Sequence, residues 1–370
     1  MMKTYQIAVL PGDGVGPEVT AEGVKVLREV PKITPEFELE ITHFEAGAEV
    51  YKKTGVAFPR EVFDFCKNAD AIFLGAMGLP TVTLPNDTDA GGEVVLRLRF
   101  DLDLFISLRP GKLYPGISCP IAGKKPGDID YMVFRELTEG LYASHGGGCS
   151  VRDELAVDNL VITRKGTERL LHEAFQYARR TGAAPKDKKK RVTCVDKSNV
   201  LRTSAYFRSL YNEIAASYPD VERDYAYVDA ATIYLIQNPQ HYHVLVMENM
   251  FGDIITDLAA ATVGGLGVSP SADVGKDHGL FQPVHGSAPT LAGKGIVNPL
   301  ATILSAGLML QWLGDRHSES NLTKGALLIE KAVENTLTQT SVRTVDLGGK
   351  SSTQEVGSEV VRQLKNLKGI

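Results

Sequence analysis

Apolar runs of strand length alternate with stretches of helical spacing along most of this chain, and few folds accept that rhythm. Tyr5–Pro11 reads as a buried strand, and Glu18–Val30 carries Val19, Val24, Leu27 and Val30 at helical spacing. Phe37–Phe44 alternates with period two, Pro59–Asn68 is a short helix, and Ala69–Gly75 is another core strand. The pattern returns in Tyr131–Glu136, Val192–Lys197 and Val244–Glu248, with a long helix over Gly166–Arg180 that ends near Gly182. Strands separated by helices predict an α/β fold with a mostly parallel sheet. The Gly- and Ser-rich stretch Gly264–Gly275 is expected to be a hinge or crossover, followed by helices at Pro299–Leu313, Thr323–Leu337 and Thr353–Leu367.

At 370 residues the chain can form two domains. A formal net charge of −5 gives no electrostatic reason to expect nucleic acid or an anionic membrane as a partner. The most apolar segment, Leu300–Leu313, is too short to span a bilayer. The first residues are polar, and Pro11, Gly12 and Asp13 interrupt the apolar run that follows, so no signal peptide is expected. Cys66, Cys119, Cys149 and Cys194 form no CxxC pair, which suits structural thiols in a reducing cytoplasm.

Gly12-Asp13-Gly14-Val15-Gly16 follows a strand and precedes a helix, yet its spacing is not that of a dinucleotide fingerprint. One residue, not two, separates the second and third glycines. A tight strand-to-helix turn with Pro17 opening the helix is the expectation.

Chemistry concentrates elsewhere. In Glu248–Asp257 a strand runs into a helix, and Asp253 and Asp257 stand four residues apart, on one helical face. Two like charges there repel unless a cation or a basic group sits between them, and a hard divalent ion, Mg²⁺ or Mn²⁺, suits oxygen ligands. Ile254, Ile255 and Leu258 predict that this helix is largely buried. Asp229, after Tyr225–Val228, is a candidate third carboxylate. Leu96-Arg97-Leu98-Arg99-Phe100, Ser107-Leu108-Arg109-Pro110 and Arg135 each place a guanidinium among apolar neighbours; such groups bind carboxylates in two-pronged fashion, and together they suggest a substrate with more than one carboxylate. Beside such charges Lys197 becomes a usable base, with Tyr142 as a further acid–base candidate.

Several long motifs in order resemble the isocitrate/isopropylmalate dehydrogenase family over essentially the whole chain. They are Leu10–Glu18, Leu108-Arg109-Pro110, Arg135–Thr138, Val195–Leu201, Asn249–Asp257, Pro283–Pro289 and Ala292–Pro299. The resemblance implies a non-Rossmann two-domain fold. Its cofactor-binding domain would combine residues 1–104 and 264–370. The inserted residues 105–263 would hold substrate and metal and carry an arm that clasps a second subunit. It also implies a homodimer with shared sites. Arg99, Arg109 and Arg135 would hold substrate carboxylates. Asp253 and Asp257 would hold the metal with the partner's Asp229, and the partner's Lys197 would take the C2 hydroxyl proton. Hydride would pass to a nicotinamide, CO₂ would leave with the ion stabilising the charge left behind, and Tyr142 would help protonate the enolate. A non-catalytic regulatory subunit, or a plain binding protein, would have no use for all five of Lys197, Tyr142, Asp229, Asp253 and Asp257.

In the same resemblance, His285, Gly286, Ser287, Ala288, Thr290 and Asn298 line the adenosine loop, with His285 near adenine and Asn298 hydrogen-bonded to it. Thr290 stands where NAD-using members usually carry Asp, and Gln282 replaces a common Glu. NAD remains the expected cofactor. Val95 and Leu96, before Arg99, offer a pocket for an isopropyl group, while Arg97 offers to take a further polar group. The leading expectation is isopropylmalate, with tartrate/D-malate or isocitrate/homoisocitrate as alternatives.

Overall fold

The computed structural model describes residues 3–85, 88–145, 147–152 and 154–368. The chain divides into two compact units. Unit 1 takes the chain up to Asp103, Pro115–Ser118, and everything from Gly264 onward; unit 2 takes Leu104–Tyr114 and Cys119–Val263.

In unit 1 the chain runs through β1 (Lys3–Gly12), α1 (Gly16–Glu29), β2 (Phe37–His43), α2 (Ala48–Thr54), α3 (Arg60–Asn68), β3 (Ala71–Ala76) and α4 (Ala90–Asp101). Unit 2 follows with β4 (Ile106–Lys112), β5 (Asp130–Glu136), β6 (Cys149–Val151), β7 (Leu155–Val157), α5 (Arg164–Arg180), β8 (Arg191–Asp196), α6 (Arg202–Ala215), β9 (Glu222–Tyr227), α7 (Val228–Gln237), β10 (Val244–Met247) and α8 (Asn249–Thr262). Unit 1 resumes with β11 (Pro270–Val274), β12 (Gly279–Pro283), α9 (Leu300–His317), α10 (Ser320–Gln339) and α11 (Thr353–Asn366).

The strands of unit 1 lie in the order β2-β1-β3-β12-β11, parallel except for the antiparallel β11–β12 pair. Those of unit 2 lie in the order β4-β5-β10-β8-β9, parallel except for β4–β5. Every residue of β3, β8 and β10 is buried, as in a parallel sheet covered on both faces; β3 and β10 are nearly all apolar, while β8 also buries Arg191, Thr193 and Asp196, each held by hydrogen bonds or ion pairs. The apolar helix α9 is buried through most of its length against β11 and β12. No helix among the described residues is long and apolar enough to cross a membrane.

The stretch read as a hinge or crossover begins where the chain passes from unit 2 back into unit 1, and its second half is a strand. β11 is buried at every position although it carries Ser271 and Asp273. Its polar groups are satisfied inside the fold, so a composition typical of loops is compatible with a core strand.

The turn after β1 is a tight strand-to-helix connection. Gly12 and Gly14 have φ of 78° and 59°. A Cβ on Gly14 would stand 2.0 Å from the Ser287 carbonyl oxygen. The buried Asp13 carboxylate accepts the backbone N–H groups of Ala48, Glu49 and Gly78 at 2.8–2.9 Å. It thereby caps α2 from a distant part of the sequence and closes three loops on one charge. Cys66 and Cys194 are buried, but Cys149 is exposed on the β6–β7 hairpin, against the expectation of four structural thiols.

Candidate active site

Helix α8 is set by its first residues. The buried Glu248 carboxylate accepts the N–H groups of Met250 and Phe251 at 3.0 and 2.9 Å, an N-cap of about 1 kcal/mol. Gly252 leaves room for the Arg135 stem, since a Cβ there would meet Arg135 Cγ at 2.4 Å. Arg135 therefore passes beneath the helix. Asn249 Oδ1 accepts from its Nε and Nη2 at 3.1 and 2.8 Å, and Arg135 Nη1 pairs with Asp253. Arg109 donates from Nη1 to Thr256 Oγ1 at 2.9 Å and lies 4.0 Å from Asp253 and 3.9 Å from Asp257. The Tyr142 hydroxyl donates to Asp253 Oδ2 at 2.7 Å, and its ring lies beside the Arg135 guanidinium.

Unit 2 thus brings together Arg109, Arg135, Tyr142, Asp253 and Asp257. Burial pushes the Asp257 carboxyl up; Arg109 pulls it down and the neighbouring Asp253 charge raises it again. The expectation that Ile254 helps bury this helix is overturned. Ile255 is buried, but Ile254 is 58% exposed and projects beside the carboxylates. Three and four residues around a helix are one turn, so the carboxylate edge takes Ile254 out with it.

Lys197 and Asp229 occur together elsewhere in unit 2. Lys197 Nζ lies 2.8 Å from Asp229 Oδ1, and its positive charge holds the Asp229 carboxyl below its ordinary range. The turn presenting Lys197 is anchored by buried Asp196, which accepts Ser198 N–H at 2.8 Å and both Nε and Nη2 of Arg208. Among the described residues of this chain no three acidic, histidine or cysteine side chains form a metal cluster, so Asp229 does not join Asp253 and Asp257 within it.

In unit 1, Asp89 caps α4 by accepting Gly92 N–H at 2.6 Å. Arg99, near the end of that helix, is buried against Asp273 of β11, with Nε and Nη2 each 2.9 Å from Oδ2. Val95 is one turn before Arg99, on the same face. Arg97 is turned away. Its guanidinium packs 5.4 and 5.3 Å from the ring centres of Phe58 and Phe63 and lies 3.5 Å from Asp101. The offer of Arg97 as a polar ligand beside Arg99 is thereby withdrawn, because residues two apart on a helix point to nearly opposite sides.

The loop holding His285, Gly286, Ser287, Ala288, Thr290 and Asn298 is fixed mainly through its backbone. The Ser287 carbonyl accepts Val15 N–H at 2.8 Å. The Glu18 carboxylate, in the first turn of α1, accepts the N–H groups of Gly293 and Gly295, the latter at 3.1 Å. Ala288 sits in the left-handed region at φ 36°, leading into a short 3₁₀ turn that exposes Thr290. Asn298 is more committed than expected. It accepts Leu300 N–H at 3.0 Å and donates to Asp346 Oδ2 at 2.9 Å, so its side-chain amide is engaged by the fold. Asp346 escaped the sequence reading, since it lies far along the chain in a short Thr344-Val345-Asp346 segment with no acidic partner nearby in sequence.

Comparison with known proteins decides the relationship. The isocitrate/isopropylmalate dehydrogenase family model matches residues 6–360. The chain belongs to this family. It is 40% identical over 98% of its length, and 99% of the relative's, to a 3-isopropylmalate/3-methylmalate dehydrogenase of Methanocaldococcus jannaschii. It is 41% identical to a 3-isopropylmalate dehydrogenase of Thermobifida fusca, covering 98% of each chain. Among solved structures it resembles an isocitrate dehydrogenase from Methylococcus capsulatus, with TM-score 0.85, 34% identity, and 98% and 99% of the two chains covered.

This dehydrogenase carries donor sets that fit both groups its family name implies. Asp253 and Asp257 offer hard oxygen atoms suited to Mg²⁺ or Mn²⁺, and a cation there would relieve their mutual repulsion. In the loop, His285 Nδ1 meets the Gly286 carbonyl at 3.0 Å, while Nε2 is buried with no hydrogen-bond partner among the described residues. Burial also holds its pKa below the ordinary value. A buried unpaired ring nitrogen costs about 1–3 kcal/mol, and with Nδ1 donating to a carbonyl the neutral imidazole keeps Nε2 as an acceptor that a hydroxyl or amino donor of a bound nucleotide would satisfy.

Proposed function

We propose that this enzyme oxidatively decarboxylates 3-isopropylmalate with NAD, using Mg²⁺ or Mn²⁺. The observation that carries the reading is the cluster of Arg109, Arg135, Tyr142, Asp253 and Asp257. Guanidinium forks bind the substrate carboxylates, and Arg99 contributes a third fork. Asp253 and Asp257, with Asp229 of the partner subunit, would hold the ion, which when bound would supply a positive charge for the electron density released on loss of CO₂. Lys197 of the partner subunit takes the C2 hydroxyl proton; the nicotinamide, when bound, would supply the acceptor for the C2 hydride. Loss of CO₂ breaks the C3–carboxylate bond, and Tyr142 delivers the proton that converts the enolate to the 2-oxo acid product. Large apolar residues exposed on α7, α8 and the hairpin, among them Ile233, Ile236, Ile254, Val151 and Leu155, support a homodimer that buries them.

The substrate side chain follows from α4. Val95 shares Arg99's face and Arg97 does not, so an apolar branch is better accommodated there than a third carboxylate. Turnover of 3-isopropylmalate, D-malate, tartrate and isocitrate with NAD and NADP tests this. The expected result is highest kcat/KM for 3-isopropylmalate with NAD, lost with EDTA and restored by Mn²⁺. Preference for isocitrate, or full turnover after chelation, overturns it.

A further inference from the structure

Arg99 is the one proposed carboxylate ligand in unit 1, and its guanidinium is not loosely placed. It is buried, and so is the group that holds it: Asp273 has no exposed surface. Both Nε and Nη2 point at the same oxygen, Asp273 Oδ2, at 2.9 Å. A third donor, Gln282 Nε2 on β12, reaches that oxygen at 3.1 Å, and the Ser271 hydroxyl lies 3.5 Å from Oδ1. Asp273 and Gln282 belong to paired strands β11 and β12, so the carboxylate is set in rigid backbone. A guanidinium carries five N–H donors in a fixed plane. Anchoring its Nε–Nη2 edge fixes that plane and leaves the opposite edge outside this contact.

We propose that Asp273 is a positioning residue for substrate binding: it orients Arg99 for the hydroxy-acid carboxylate, and Gln282 completes its hydrogen bonding. The Asp273–Gln282 pair divides the work. One residue carries the charge that balances Arg99, and its neutral neighbour donates to it. Two carboxylates at these positions would face each other across about one hydrogen bond and repel. None at either position would leave Arg99 buried without a counter-charge. One carboxylate, at either place, is what the cluster needs.

This proposal rests on the reading that Arg99 binds substrate, and a set of full-length variants separates the two. Steady-state kinetics are measured for Arg99→Gln, Asp273→Asn, Gln282→Glu and the double variant Asp273→Asn/Gln282→Glu, with 3-isopropylmalate and NAD each varied. Arg99→Gln is expected to raise KM for the hydroxy acid by about thirtyfold or more. Asp273→Asn should raise it by about tenfold while KM for NAD changes less than about twofold. Gln282→Glu alone should also raise it, and the double variant, which moves the single carboxylate across the pair, should return it to within about threefold of the parent. An unchanged KM in Asp273→Asn alongside a raised KM in Arg99→Gln overturns the positioning role. Equal rises in both KM values, with no recovery in the double variant, overturn it as well. If Arg99→Gln itself leaves KM unchanged, the assignment of Arg99 fails rather than that of Asp273. Should Asp273→Asn not fold, the double variant decides: a folded enzyme with near-parental KM supports the role, and a raised KM or an unfolded chain overturns it.

Discussion

Helix α8 in unit 2 and the Gly286–Asn298 loop in unit 1 are built on opposite principles. Around α8 the work is done by charged side chains: Arg109, Arg135, Asp253 and Asp257 satisfy one another, with Asn249 and Thr256 fixing the planes of the two guanidinium groups. Along the loop the work is done by backbone, tied at intervals to Glu18, Val15 and Asp346 by way of Asn298. Arg109 and Arg135 are buried while the carboxylates reach solvent, so removing Asp253 leaves two buried guanidinium groups short of a counter-charge. A loop held by several separate hydrogen bonds loses only part of its order when one is removed. Substitutions at α8 should therefore act on turnover, and substitutions around the loop on cofactor affinity.

The sharpest way to break this contrast is at the shared chemistry. Lys197→Met and Asp253→Asn should each lower kcat by about three orders of magnitude or more, because in the proposed mechanism one removes the base and the other a ligand of the ion. Since Lys197 and Asp253 lie in separate pairs within one chain, mixing the two inactive variants should restore part of the activity through heterodimers with one intact site. Mass spectrometry confirms exchange of subunits; verified exchange with no recovered turnover would show that each chain supplies its own Lys197.

A smaller effect tests the loop. Glu18→Gln keeps the shape but replaces one acceptor oxygen by a donor facing the N–H groups of Gly293 and Gly295. A hydrogen bond to a charged acceptor is worth about 1.5–3 kcal/mol when well formed, and Glu18 is only half-buried, so solvent lowers the loss to about 1 kcal/mol. KM for NAD should rise by about three- to tenfold with kcat within about twofold of the parent. A fall in kcat with KM unchanged would show that the loop is coupled to chemistry and that the contrast with α8 is misdrawn.

Much of this was readable in advance where the relevant partners lie close in sequence. The four-residue spacing of Asp253 and Asp257 puts them on one face whatever surrounds the helix, and both do meet Arg109. The strand–helix rhythm survives because burial on both faces of a parallel sheet demands apolar runs. Two of the failures come from partners supplied from far along the chain, and a third from the direction a side chain takes on its own helix. β11 resembled a loop because Ser271 and Asp273 are polar, and what makes them acceptable in a core strand is Arg99, Gln282 and Ser305. Arg97 and Arg99 look alike in sequence, yet Phe58 and Phe63 claim the first and Asp273 the second. Ile254 seemed a burying residue because hydropathy carries no direction, whereas its position beside the carboxylates sends it outward.

The smallest expected effect lies at the most exposed point of the loop. Thr290 follows the left-handed Ala288 in a 3₁₀ turn and lies on the surface, where it can offer a ribose one neutral hydroxyl. A carboxylate in its place would accept hydrogen bonds from both ribose hydroxyls and repel a 2′-phosphate. Solvent weakens each of those terms at an exposed site, so the gain is set nearer 1 kcal/mol than the 1.5–3 kcal/mol of a well-formed charged hydrogen bond. Thr290→Asp should lower KM for NAD by about three- to fivefold and raise that for NADP by a similar factor, with kcat nearly unchanged. Raising salt should shrink the NADP effect more than the NAD effect, because repulsion of a phosphate is screened over the Debye length while a direct hydrogen bond is not. An unaltered NAD/NADP ratio at low salt would mean that the ribose lies elsewhere, and the division between a charge-built reaction centre and a backbone-built cofactor loop would lose its second half.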